Sequence, residues 1–205
     1  RGGGVIMRVG KGDRASRNEA HELHRGGDDA LSFDLNDQQP GTNFSQSEEA
    51  VQFTSGSLTA KLGRGKSFNL EFLAENRVIT HQRAKGISIF EDGGSHYLAA
   101  QLNLGVGELV YGLGERFTAF AKNGQSVDIW NADGGTSSEQ AYKNIPFYLT
   151  NRGYGVFVNN TGKVSFEVAS ETVEKVQFSA QTHDLQYFVI YGPTPAEILE
   201  KYTAL

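Results

Sequence analysis

Cysteine is absent from this 205-residue chain. That removes disulfide bonds and thiolate metal sites, and it favours a reducing compartment, with the cytoplasm as the expectation. No run of apolar residues is long enough to span a bilayer, so no membrane partner is expected. Basic residues are in deficit: 19 Lys and Arg stand against 24 Asp and Glu, for a net charge of −5. A nucleic-acid binder needs a basic face, so nucleic acid is excluded as a partner. Proline occurs 4 times and tryptophan once.

What remains is glycine, 25 residues of it, set between short alternating runs. "VQFTSGSLTAKL" alternates around a turn at Gly56, and "SFNLEFL" places Phe68, Leu70 and Phe72 on one face. "VIMRV", "RVITHQ", "GISIFED", "HYLAAQLNL", "IPFYLTN", "YGVFVNN", "KVSFEVAS", "EKVQFSAQ" and "LQYFVIYG" read the same way. In "KVSFEVAS", Val164, Phe166 and Val168 face one side and Ser165 and Glu167 the other. Short period-two runs with frequent turn residues predict an all-β, antiparallel sandwich or barrel. The length suits one large β domain or two small ones. One helix is predicted, in "GPTPAEILEKYTAL": Thr194 as N-cap, Pro195 at the first position, Glu197 completing a capping box. Its apolar residues Ile198, Leu199 and Tyr202 are expected to lack a partner surface and to favour association, so a homo-oligomer is a possible state. The helix reads as the beginning of something longer, and the first residue, Arg1, suggests a processed or truncated product.

Two motifs invite chemistry and resist it. "HELH" holds His21, Glu22 and His24. Its histidines are three apart where the helical zinc motif needs four, and no further ligand follows, so a polar loop without metal is expected. "GLGE" (Gly112–Glu115) has half of a dinucleotide fingerprint, but no third glycine. No cofactor is expected. Glu115 and Arg116 are expected to pair with other charges at a sheet corner.

The segment "YGLGERFTAFAKNGQSVDIWNADGGTSSEQAYKNIPFY", from Tyr111 to Tyr148, reads as one long polar connection carrying the chain's only tryptophan. In "DIWNADGG" a carboxylate, a carboxamide and an indole share one rim, a mixture that suits the hydroxyls and C–H faces of sugars. The same residues equally suit a rigid loop whose Trp130 plugs the core. No pair of carboxylates is spaced in the sequence for glycoside hydrolysis, and five scattered histidines offer little to a catalytic groove.

"YGLGERF", followed by "NGQSVDIWNADGGTSSEQAYKNIPFYLTNRGYGVFVNN", closely resembles the N-terminal β-sandwich of glycoside hydrolase family 31, with the α-xylosidase branch nearest. The likeness runs from about Leu109 to the end. Residues 45–108 fit loosely, and residues 1–40 depart from it. The resemblance implies a galactose-mutarotase-like sandwich over residues 1–192, with residues 193–205 starting the linker to a catalytic (β/α)8 barrel beyond Leu205. It implies a retaining α-xylosidase or α-glucosidase whose catalytic aspartates lie in that barrel, so the chain holds no catalytic residue and is expected to be inactive alone. It also implies that Asp133 and Thr136 contact an α-linked oligosaccharide or xyloside at the rim of the +1 subsite. Trp130 and Asn131 are expected to support the loop. The alternative is a stand-alone carbohydrate-binding or structural sandwich.

Overall fold

The computed structural model describes residues 4–10, 42–132 and 141–205. These form antiparallel sheets of five strands each, with one helix. The first sheet has the order β1-β15-β12-β11-β9: β1 (Gly4–Gly10), β15 (Asp184–Tyr191), β12 (Tyr154–Asn159), β11 (Phe147–Thr150) and β9 (Val110–Gly112). The second has the order β10-β13-β14-β8-β7: β10 (Gln125–Ile129), β13 (Val164–Val168), β14 (Lys175–Gln181), β8 (Ser95–Asn103) and β7 (Ile87–Asp92). The third runs in chain order through β2 (Thr42–Gln46), β3 (Ala50–Ser55), β4 (Leu58–Gly63), β5 (Asn69–Ala74) and β6 (Arg77–Arg83).

The alternation read from the sequence governs burial. Val164, Phe166 and Val168 are fully buried in β13, and Phe178 of β14 meets Tyr187 of β15 edge-on at 5.0 Å. Phe72 and Leu58 of the third sheet join the same core. The three sheets therefore turn their apolar faces onto one interior. Phe68 departs from the expected face: it precedes β5 and is exposed, whereas Leu70 and Phe72 are buried.

β15 is buried on both faces. Leu185, Tyr187, Val189 and Tyr191 point into the main core, while Phe188 and Ile190 join a second cluster with Phe147 and Ile198. That cluster corrects the expectation for the helix α1 (Pro195–Thr203). The capping box forms as predicted: the Glu197 backbone N–H donates to Thr194 Oγ1 at 3.3 Å, and the Thr194 N–H donates back to Glu197 Oε2 at 3.1 Å. The apolar face, however, has its partner surface within the chain. Ile198 is fully buried, and the Tyr202 ring stacks on Phe147 with centroids 4.1 Å apart and meets Phe157 edge-on. Only Leu199 remains substantially exposed among the three residues. Lys201 fastens the last turn by donating to the Tyr191 carbonyl at 2.6 Å. The outer face of β15 supplies the apolar ground that helix periodicity alone does not reveal.

Among the described residues no helix is long and apolar enough to cross a membrane. The "HELH" segment and the loop residues Asp133 and Thr136 lie outside the described residues.

Candidate functional site

The stretch from Tyr111 to Tyr148 is not one connection. β10 interrupts it, because Val127 and Ile129 alternate with Ser126 and Asp128 and turn inward beside β13. The rest is a platform built on unusual backbone geometry. Gly112, Leu113 and Gly114 have φ of 110°, 65° and 83°. This left-handed turn is one that glycine tolerates and other residues resist. It lets the Leu113 N–H reach the Phe147 carbonyl (2.8 Å) and the Glu115 N–H the Lys143 carbonyl (2.9 Å). A Cβ on Gly114 would stand 2.0 Å from the Lys143 carbonyl oxygen. The "GLG" run thus serves close backbone approach, not phosphate binding.

Arg116 and Asn144 knit the platform together. Arg116 donates to the carbonyls of Leu113 (3.2 Å) and Asp128 (2.8 Å) and to the Asn144 side-chain oxygen. Asn144 donates from its side chain to the carbonyls of Trp130 (2.9 Å) and Ala141 (2.6 Å) and to Asn131 Oδ1 (3.0 Å). Its backbone N–H also donates to Asn131 Oδ1, at 2.9 Å. With the Ala132 N–H on the Ala141 carbonyl (3.1 Å), these bonds tie together the two described stretches that flank residues 133–140. Sequence reasoning passed over Asn144. Its signal was its kind alone, an asparagine just before a proline-containing strand start, which is common in turns of no special role. Glu115 pairs with Lys143 at 3.1 Å, both side chains exposed, a contact of small energetic weight.

Trp130 does not plug the core. Its indole is 59% exposed, and its recorded bond to the loop base runs through its carbonyl. It belongs to a run of exposed large side chains that includes Phe117, Phe120, Tyr142 and Ile145. Beside it a groove of about 920 Å³ opens, lined among others by Arg116, Asp128, Trp130, Lys163, Glu167 and Gln181. Burial raises the Asp128 carboxyl. The hydrogen bonds from Lys163 and Ser165, with the charges of Lys163 and Arg116, outweigh it and hold the group below the ordinary aspartate value. Asp128 is therefore an acceptor, not an acid. No cluster able to hold a metal ion occurs among the described residues.

Residues 6–167 match the family model of the glycosyl hydrolase 31 N-terminal galactose mutarotase-like domain. The chain is 47% identical over 175 residues to the alpha-xylosidase XylQ of Lactiplantibacillus pentosus, covering 84% of this chain and 23% of that protein. It is 48% identical over 167 residues to an alpha-xylosidase of Emericella nidulans, covering 80% and 21% respectively. The chain thus spans less than a quarter of the length of these relatives. In fold it is similar to a Flavobacterium johnsoniae family 31 dextranase solved with isomaltotriose, with TM-score 0.78 and 23% identity over all of this chain and 24% of that one. A family 31 alpha-xylosidase from a soil metagenome, solved with xylose, gives TM-score 0.73 at 17% identity, covering 98% of this chain and 30% of that one. An all-β sandwich carrying these motifs, matched by this model over most of its length, belongs to the N-terminal galactose-mutarotase-like domains of glycoside hydrolase family 31.

Proposed function

We propose that this domain works within a longer retaining α-glycosidase acting on α-linked xylosides or glucosides, and that its 130–144 loop forms part of the rim of the sugar site. The observation that carries the reading is the 47% identity to a protein named an alpha-xylosidase, of which the chain spans 23%. In this reading residues 1–192 are the sandwich and residues 193–205 lead toward a catalytic barrel. Hydrolysis belongs to the barrel, and the 205-residue chain by itself turns over no aryl α-xyloside.

Asp133 and Thr136 face the leaving-group sugar in this proposal. A carboxylate there accepts hydrogen bonds from sugar hydroxyls and orients the scissile bond, so binding energy remote from the reacting carbon assists the chemistry. Asn131 and Asn144 hold the loop base against the platform, which limits the entropy lost when sugar binds. The test is Asp133→Ala in the longer polypeptide. Loss of a charged hydrogen-bond partner should lower kcat/KM on an α-linked disaccharide by about 1.5–3 kcal/mol. The loss should shrink on aryl glycosides, whose leaving group offers few hydroxyls. Equal losses on both substrates with a lowered melting temperature would assign Asp133 to the turn and remove it from the site.

A further inference from the structure

The outer faces of the first and second sheets differ. On the first, Phe188, Ile190 and Phe147 are covered by α1. On the second, Ser126, Asp128, Gln181 and Phe90 are exposed. The register places this face in rows. Ile129 pairs with Val164, so Trp130 and Lys163 follow at the next position of β10 and β13. Val164 pairs with Ala180, which brings Gln181 alongside Lys163. Gln181 pairs with Tyr97, and Tyr97 with Phe90, whose ring lies stacked on it at 5.2 Å and 7°. One row thus runs across all five strands, from the exposed indole of Trp130, through an ammonium and a carboxamide, to a stacked aromatic pair. Trp130 and Tyr97 are three strand spacings apart, about 14 Å at roughly 4.8 Å each.

The one charge in this row is matched internally. Lys163 Nζ lies 2.6 Å from Asp128 Oδ2, and Ser165 Oγ donates to Asp128 Oδ1 at 2.6 Å. Ser126 Oγ and Ser170 Oγ each donate to Glu167 Oε2 at 2.5 Å. A phosphate or a polyanion would meet here a lysine already paired with Asp128 and, on the same face, the carboxylate of Glu167. A neutral ligand fits, with hydroxyls for Gln181, Lys163 and Asp128 and with flat C–H faces for the rings at each end. We propose that this outer face of the second sheet is a binding surface for a neutral oligosaccharide, with Trp130 at one end, the Tyr97–Phe90 pair at the other, and Lys163 and Gln181 between them. The span takes several linked sugar rings and is wasted on one. Trp130 begins the rim loop, but Tyr97, Phe90 and Gln181 stand on strands two to four places from β10, away from that loop, so the variants at these positions test this surface separately from the catalytic reading above.

Trp130 is the chain's only tryptophan, so the fluorescence of the 205-residue chain reports on one end of the surface. Titration with maltoheptaose and with a xyloglucan oligosaccharide should give a saturable change with at least one of them, and glucose should give none. Tyr97→Ala and Gln181→Ala should each weaken binding about tenfold, roughly 1.4 kcal/mol, and Tyr97→Phe should retain it. Gln181 is exposed at the end of β14, so its variant keeps the test valid if loss of the Tyr97 ring disturbs folding. No saturable change with either oligosaccharide would overturn the proposal. So would binding that survives Tyr97→Ala and Gln181→Ala but is lost in Asp133→Ala, since the sugar would then sit on the rim loop. So would sedimentation showing a dimer that Gln181→Ala dissociates, since the face would then be an interface between two copies.

Discussion

Asn144 makes with one carboxamide, together with its own N–H, bonds to both sides of a loop base that otherwise rests on few backbone contacts. Each net hydrogen bond contributes on the order of 1 kcal/mol, so Asn144→Ala should destabilise the chain by about 1–3 kcal/mol in urea titration. Faster hydrogen exchange should appear at Ala132, whose N–H closes the same base. A second residue-scale prediction concerns Glu108, which is buried and accepts the Gly105 N–H at 2.7 Å through Oε2. Burial is the largest influence and raises its carboxyl above the ordinary glutamate value. The Tyr154 hydroxyl, the Gly105 N–H, the Thr150 hydroxyl and the Arg152 charge pull the other way without cancelling it. A folded-state value above the unfolded one means that the native chain binds more protons between the two. The stabilising effect of the neutral acid is then complete below the unfolded value of about 4.5 and is lost as pH rises through the folded one. Glu108→Gln should remove this dependence. The difference in unfolding free energy between wild type and variant, followed from pH 4 upward, should therefore change in favour of the variant as pH rises. A difference that does not vary with pH would refute the assignment.

At the scale of elements, α1 is the clearest case of packing deciding what local pattern leaves open. Ile198 sits among Phe147, Phe188 and Ile190. Ile198→Ala should cost about 2–4 kcal/mol in thermal or denaturant unfolding, and Leu199→Ala, at an exposed position, much less. Protection of the helix amides close to that of β15 would accompany this. The capping box was legible because it is written in adjacent residues; the surface that receives the helix was not, because Phe147, Phe157 and Phe188 are far away in the chain. The same distinction explains the strands. β13 and β14 announce themselves by alternation, whereas β2, with Phe44 as its only large apolar residue and every position exposed, gives almost no period-two signal. β10 is masked by its setting among Gly124, Trp130 and Asn131. For the candidate site, the motif-rich segment was legible as a place, but the roles of Arg116 and Asn144 depend on which carbonyls come within 3 Å after folding. No spacing rule predicts those partners.

At the scale of the whole molecule, the three sheets share one interior, with Phe72 of the third sheet in the same cluster as Phe178 of the second and Tyr187 of the first. Unfolding should therefore be a single cooperative transition, with far- and near-ultraviolet dichroism coinciding. Phe72→Ala should lower both midpoints together, by about 3–5 kcal/mol of stability. Two separated transitions would mean that the third sheet is an independent unit. The first sheet carries a different consequence. Its β1 pairs with β15 from Gly4↔Ile190 to Gly10↔Asp184, and β12 lies on the other flank of the same strand. On a ribosome, β1 emerges well before β15, its one neighbour in the sheet among the described residues. Throughout that interval β1 and β12 each present an unsatisfied edge of N–H and carbonyl groups, the kind that recruits foreign strands. Residues 184–191 act as a late closing strip. Synthesis that stalls before Asp184 should yield an insoluble nascent chain, while emergence of residues 184–191 lets the sheet close around that strand.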